Sequence, residues 1–273
     1  MLKARVFTAA LLLAALLAAL YWLPRAGWTV LVVAVLALAA WEWGGLSGLS
    51  APGRIVYAGV IAAAAAVAAS TRAQAAQAFL EHSWIYIASA GFWLLLAPLW
   101  LWRRPAFASP PVPLLAGAVS LVPCAAAMSE LRVAGPGTLL AIMAVAWISD
   151  TAAYFAGSRF GRHKLAPAIS PGKTWEGVYG ALAAVTVYAI AWLAAGGPRP
   201  ELLREVPFGA LWFVVLLLAL AAAGVIGDLL ESQLKRQAGV KDSGSLLPGH
   251  GGVLDRIDAL LPVLPLAALA FRA

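Results

Sequence analysis

The apolar residues of this chain fall in long uninterrupted runs, and no other feature of the sequence restricts its fold so strongly. A run of roughly 20 apolar residues is stable as a helix in a bilayer, where each backbone polar group must find its partner within the same segment. Segments near 6–23, 28–46, 55–70, 84–102, 112–131, 137–157, 177–195, 210–230 and 253–271 meet or approach that length. The expectation is an all-α polytopic membrane protein with about nine transmembrane helices, built as one integral membrane domain over residues 1–273. The composition, 63% hydrophobic and 11% charged, belongs to the same class. The third segment is Ala-rich and short, and the ninth opens with Asp255, Arg256 and Asp258. The first follows Lys3 and Arg5 as a signal peptide would. It extends to Leu23 without a small-residue cleavage site, so it is read as a retained helix.

The net charge of +7 does not predict a nucleic-acid partner, because the basic residues are scattered singly and build no continuous face. They read instead as topology signals. With the N-terminus inside, Lys3, Arg5, Arg54, Arg103, Arg104, Arg159, Arg162, Lys164, Lys173, Lys235, Arg236, Lys241 and Arg256 all fall on the inner side, and these are thirteen of the nineteen Lys and Arg residues. The positive-inside rule therefore predicts a cytoplasmic N-terminus. Trp22, Trp28, Trp41, Trp43, Trp84, Trp100, Trp102 and Trp212 lie mostly near predicted helix ends and are read as interfacial anchors. Glu42, between two of them, is either an intramembrane functional carboxylate or an interfacial residue at the inner end of the second segment. The single cysteine, Cys124, lies in an apolar run, which excludes an intramolecular disulfide and a thiol metal cluster.

The halves of the chain differ in acidic residues. Residues 1–140 hold only Glu42, Glu81 and Glu130, whereas 141–273 hold Asp150, Glu176, Glu201, Glu205, Asp228, Glu231, Asp242, Asp255 and Asp258. Seven of those nine fall on or beside the inner side, where carboxylates against a bilayer are costly enough to imply a use. The catalytic site is therefore expected in 141–273. The eighth segment leaves the membrane through GDLLESQLKR, in which Asp228, Glu231, Ser232, Lys235 and Arg236 recur at helical spacing and share one face. The loop AGVKDSGSLLPGHGG follows, with Lys241, Asp242 and His250. Its Gly249, Gly251 and Gly252 would let backbone N–H groups approach an anion ahead of the helix start at DRID. Asp228 and Asp255, on adjacent helices joined by this loop, form a candidate pair of hard oxygen ligands for Mg²⁺. The alternative is that each carboxylate is paired with Lys235, Arg236 or Arg256.

A second cluster holds Asp150, then Arg159, Arg162, His163 and Lys164, then ISPGKTWEG with Ser170, Lys173, Thr174 and Glu176. Its PGKT imitates the end of a Walker A loop. Pro167 stands where the first glycine should be and no strand is expected before it, so a P-loop fold is rejected and a basic, hydroxyl-bearing phosphate contact is retained. His82, His163 and His250 show no metal-ligand spacing, and no Ser–His–Asp triad is apparent.

The run Ser232-Gln-Leu-Lys235-Arg236, Lys241-Asp242 and Leu247-Pro248-Gly-His250-Gly251-Gly252-Val-Leu-Asp255-Arg256-Ile-Asp258 resembles the signature of the phosphatidate cytidylyltransferase family. Asp150 with SPGKTWEG resembles the second recurring stretch of that family, although Gly172 stands where a lysine is common. The N-terminal half resembles it in hydropathy alone. The resemblance implies that phosphatidic acid attacks the α-phosphate of CTP, giving CDP-diacylglycerol and pyrophosphate. It also implies Mg²⁺ held by Asp228 and Asp255, in some members beside a monovalent cation such as K⁺. Ser232, Lys235, Arg236, Lys241, Asp242, His250 and Asp258 are then the catalytic candidates, and Asp150, Lys173, Thr174, Glu176, Gly251, Gly252 and Arg256 the substrate-binding ones. The partners are CTP and membrane phosphatidic acid, with a homodimer left open. The expected location is a bacterial plasma membrane with the active site cytoplasmic.

Two other lipid enzymes that use CTP, an isoprenoid-ether phosphate cytidylyltransferase and a polyprenol kinase, differ from this reading in the acceptor. A secondary transporter would place its carboxylates near the bilayer midplane between broken helices. Here the charges gather at one face.

Overall fold

The computed structural model describes residues 2–72, 83–105, 109–246 and 251–271, and of residues 2–9, 71 and 72 the backbone alone. Its helices are α1 (Leu2–Trp22), α2 (Arg25–Leu46), α3 (Ala51–Arg72), α4 (Ser83–Gly91), α5 (Ala97–Arg103), α6 (Pro111–Ala134), α7 (Pro136–Phe160), α8 (Trp175–Ala194), α9 (Leu202–Glu205), α10 (Gly209–Gln237), α11 (Leu254–Ile257) and α12 (Leu260–Ala270). A π-helical turn, Phe92–Leu96, joins α4 to α5 into one apolar segment. Pro98 has no N–H to offer the preceding turn, and there the ladder widens so that Ala97 N–H reaches Phe92 O.

Among the described residues, seven helices are long and apolar enough to cross a membrane: α2, α3, the α4–α5 segment, α6, α7, α8 and α10. Residues Ala10–Trp22 and Leu260–Ala270 form shorter apolar helices, at the places of the first and ninth expected segments. This is a multi-pass helical membrane protein. Val30, Val56, Leu95 and Val187 are each about two-thirds exposed, as suits side chains whose solvent is lipid. α6 is the central helix, with 61% of its apolar window buried, and it packs against α2, α3, α7 and α12.

Three of the tryptophans read as interfacial anchors are core residues instead: Trp28, Trp43 and Trp100 are at most 8% exposed. Trp43 is held inside because its Nε1–H donates to Pro113 O at 2.8 Å. Trp22, Trp84, Trp102 and Trp212 are exposed, as anchors should be.

A two-stranded antiparallel hairpin, β1 (Lys164–Ala166) with β2 (Ser170–Thr174), interrupts the helices between α7 and α8. A strand therefore does precede PGKT, contrary to expectation, and PGKT itself lies in β2. The pairing is antiparallel and β2 runs straight into α8 with no glycine-rich turn between, so this is no P-loop. Ala166 and Ile169 of the hairpin bury against Leu229 of α10. That contact carries Lys173 to the C-terminal half of α10.

Candidate active site

α10 has 29 residues, about 43 Å at 1.5 Å per residue, which exceeds the ~30 Å hydrocarbon core. A helix entering at Gly209 reaches the opposite boundary near Asp228. Its last turns then stand at headgroup depth, and these turns carry the charged face expected from the sequence. α10 comes close to the chain between α11 and α12 because Gly227 has no side chain: a Cβ there would lie 2.5 Å from Asp258 O. This contact sets Asp228 beside Asp258.

Two ammonium groups organise the carboxylates. Lys173 Nζ lies 2.7 Å from Asp228 Oδ2, while Ser232 Oγ donates to Asp228 Oδ1 at 3.2 Å. Lys235 Nζ lies between Glu231 Oε2 at 2.5 Å and Asp255 Oδ1 at 2.6 Å. Asp150, on α7, is an electrostatic neighbour of Asp228 and Lys173, and Asp258 of Asp228, Asp150 and Lys235. Five carboxyl groups thus share this region with the ammonium groups of Lys173 and Lys235. A cluster of hard oxygen donors that outnumbers the ammonium groups beside it fits a hard divalent cation. Among the described residues no three His, Cys, Asp or Glu side chains already form a metal cage. Mg²⁺ does not need one, since it typically takes one or two carboxylates and completes its shell with water and phosphate oxygens.

Asp255 also shapes the glycine loop. Its Oδ2 accepts from Gly252 N–H at 2.8 Å and from Ser243 N–H and Oγ–H, both at 3.0 Å. Burial by itself would raise this carboxyl. The hydrogen bonds from Lys235, Gly252 and Ser243, with the Lys235 charge, override it and hold the group at about 2. Gly251 has φ +83°, which favours glycine, and a Cβ on Gly252 would overlap Ser243 Oγ and the Glu42 carboxylate.

Glu42 is the residue that sequence reasoning placed least well. It is 3% exposed, and its oxygens accept from Val253 N–H at 3.1 Å, Leu254 N–H at 2.8 Å and Ser243 Oγ–H at 3.0 Å. Glu42 therefore caps the first turn of α11 from another helix, satisfying N–H groups that have no partner within the helix. Ser243 was not singled out either. Its one hydroxyl proton is placed between Glu42 and Asp255, so it couples the cap to the charged cluster.

The other candidates are dispersed. Arg236 turns away from the carboxylates, donating from Nε to Ile169 O at 3.3 Å and from Nη1 to Val240 O at 3.4 Å. It braces the hairpin against α10. Thr174 is buried, and its Oγ1 accepts from Gly177 N–H at 3.1 Å as the N-cap of α8. Glu176 pairs with His163, its Oε1 lying 2.7 Å from His163 Nδ1. Lys241, Asp242 and Arg256 are exposed. His250 lies outside the described residues.

Sequence comparison supplies the remaining evidence. Residues 3–273 match the model of the cytidylyltransferase family. The chain belongs to that family. It is 40% identical to a phosphatidate cytidylyltransferase of Pseudomonas aeruginosa, over 100% of this chain and 98% of the relative. It is 35% identical to one of Haemophilus influenzae, over 97% and 96% of the two chains. A similarly named protein of Brucella suis is 49% identical over 48% of this chain and 46% of its own. Family membership makes the chain a nucleotidyltransferase, and the α10–hairpin–α11 cluster is where the structure gathers groups suited to such chemistry.

Proposed function

We propose that the chain transfers the cytidylyl group of CTP to phosphatidic acid, forming CDP-diacylglycerol and releasing pyrophosphate. The observation that carries this reading is the pair of contacts Lys173–Asp228 and Lys235–Asp255 at the depth where α10 leaves the membrane. A lipid phosphate lies at that depth, and a soluble triphosphate reaches it from the adjoining aqueous side. The near full-length relatives carrying the name of this reaction support the choice of acceptor.

The phosphate monoester of phosphatidic acid has a second pKa of about 6 and is largely dianionic at neutral pH, so the nucleophile needs no general base. One of its oxygens forms the new bond to the α-phosphorus of CTP. The bond from that phosphorus to the bridging oxygen breaks, and pyrophosphate departs with the electron pair. The obstacle is the meeting of two anions, which makes positioning and electrostatics the task of the protein. Lys173 and Lys235 supply positive charge within the cluster, and the exposed Lys241 and Arg256 add charge close to Asp255 along the chain. Gly251 and Gly252 let the loop backbone close against Asp255, Glu42 and Ser243, which hold it in place beside the reacting groups. Asp228 and Asp255 would hold Mg²⁺, with Asp150 and Asp258 adding negative charge around it. A bound Mg²⁺ would neutralise phosphate oxygens and withdraw charge from the leaving pyrophosphate. The membrane is proposed to be the plasma membrane, with this face cytoplasmic.

The test is transfer of label from CTP into lipid by the purified protein with Mg²⁺, offering phosphatidic acid, a polyprenol and an ether-lipid phosphate in parallel. Labelled CDP-diacylglycerol from phosphatidic acid alone, lost in both Asp228→Asn and Asp255→Asn, is the expected result. Label entering only one of the other acceptors would replace the proposed substrate, and no CTP consumption by folded protein would end the reading.

A further inference from the structure

The end of the bundle opposite this site contains a cavity of about 360 Å³ where the end of α1, the start of α2 and the α6–α7 corner meet. Tyr21, Arg25, Trp28, Thr29, Ser129 and Arg132 provide its polar lining. Trp28 and Glu42 are separated by about 21 Å along α2, so the cavity is remote from the nucleotidyl-transfer cluster.

The lining is rich in donors, and two of them are unused. Trp28 Nε1 and Ser129 Oγ are buried without a hydrogen-bond partner, in residues 2% and 6% exposed. An indole N–H can only donate, and a buried donor left unpaired is destabilising. Arg132 lies beside them, its guanidinium carbon 5.0 Å from the centre of the Trp28 ring. It donates from Nε to Leu20 O at 3.0 Å and from Nη2 to Leu23 O, which uses two of the five N–H donors of a guanidinium. Arg25 is near enough for its charge to act on Arg132. The described lining residues include no Asp or Glu. Held cations, a fixed indole N–H and hydroxyls in one concavity are chemistry for an oxyanion.

We infer that this cavity binds a phosphate group. Arg132 supplies the charge-assisted bonds, and Trp28 and Ser129 the neutral ones. The volume is at the small end of ligand pockets, enough for a phosphate with its immediate substituent but not for a whole lipid. Val133 of the lining is about half exposed, and Trp22 and Val30, next in sequence to lining residues, are more so, which leaves apolar surface near the cavity for acyl chains. The phosphate therefore comes either from a phospholipid headgroup or from the free ion, and the test separates the two.

Thermal unfolding of the purified full-length chain would be followed in detergent with added phosphatidylglycerol, with phosphatidylcholine and with inorganic phosphate. The deciding variant is Trp28→Phe/Ser129→Ala, which keeps an aromatic ring at position 28 but removes both unused donors. Its cytidylyl transfer serves as the control for folding. Arg132→Gln is less decisive, because it also frees the carbonyls of Leu20 and Leu23. The expected result is a midpoint that rises with phosphatidylglycerol, with an apparent affinity about tenfold weaker or more in the double variant. A response to inorganic phosphate that the double variant loses keeps the site and assigns it to the free ion. No response to any phosphate, or equal responses in wild type and double variant, overturns the inference.

Discussion

Glu42 and Asp228 are both carboxylates at the same end of the bundle, yet their surroundings differ in kind. Glu42 is sealed from solvent and all three of its partners are uncharged donors, two of them backbone N–H groups of the α11 turn. Asp228 has a side chain 28% exposed, faces an ammonium group and is an electrostatic neighbour of two more carboxylates. A buried carboxylate saturated by backbone donors fixes a conformation. A part-exposed one among other carboxyl groups is available to a cation or a substrate. One node therefore shapes the loop, the other is the one proposed to meet the nucleotide, and Ser243 and Asp255 join the two.

The largest expected effect breaks the charged node. Asp228→Asn should lower cytidylyl transfer by roughly 10²-fold or more, with little change in the thermal midpoint, because the side chain is part-exposed and its shape is kept. Gly252→Ala should strike both nodes. Its Cβ overlaps Ser243 Oγ and the Glu42 carboxylate, and overpacking of this kind costs about 1–3 kcal/mol, so a lower midpoint and reduced transfer should appear together. Glu42→Gln sets an NH₂ against backbone donors and should cost about 1–3 kcal/mol of stability, with a smaller loss of transfer than Asp228→Asn. A smaller effect again is expected from Thr174→Ala, about 1 kcal/mol through loss of the α8 cap, with binding of CTP nearly unchanged. Full loss of CTP binding in that variant would move Thr174 from the fold to the substrate.

Acid titration sharpens the comparison further. The Asp255 carboxyl is held at about 2, below its unfolded value of ~3.9, so its contribution to stability is present above that unfolded value and lost as pH falls through about 2. Asp255→Asn should therefore flatten the decline of the unfolding midpoint between about pH 4 and pH 2 and leave its slope near neutrality unchanged.

The charged node was legible in the sequence because its main elements are local. The spacing of Asp228, Ser232 and Lys235 states a helix face directly, and the glycines before Asp255 announce a loop approached by other groups. The Glu42 node was not legible, since a carboxylate in an apolar run says nothing about which backbone N–H groups, some 210 positions away, it will meet. The hairpin escaped for another reason: strands of three and five residues are too short for a period-two pattern to emerge. The hairpin also gives Thr174 its place as the cap of α8 and Arg236 a carbonyl of the hairpin turn to donate to, contacts that no local pattern announces. The tryptophans divided likewise. Position near a helix end marks an anchor only when the ring faces lipid, and Trp43 faces the carbonyl of Pro113.

The most direct test of the division is a side-by-side measurement of CTP-dependent cytidylyl transfer and thermal midpoint for Asp228→Asn and Glu42→Gln in the same detergent. The account predicts that Asp228→Asn loses transfer while keeping its midpoint, and that Glu42→Gln loses midpoint while keeping more of its transfer. Near wild-type transfer in Asp228→Asn, or an unchanged midpoint with abolished transfer in Glu42→Gln, would contradict it.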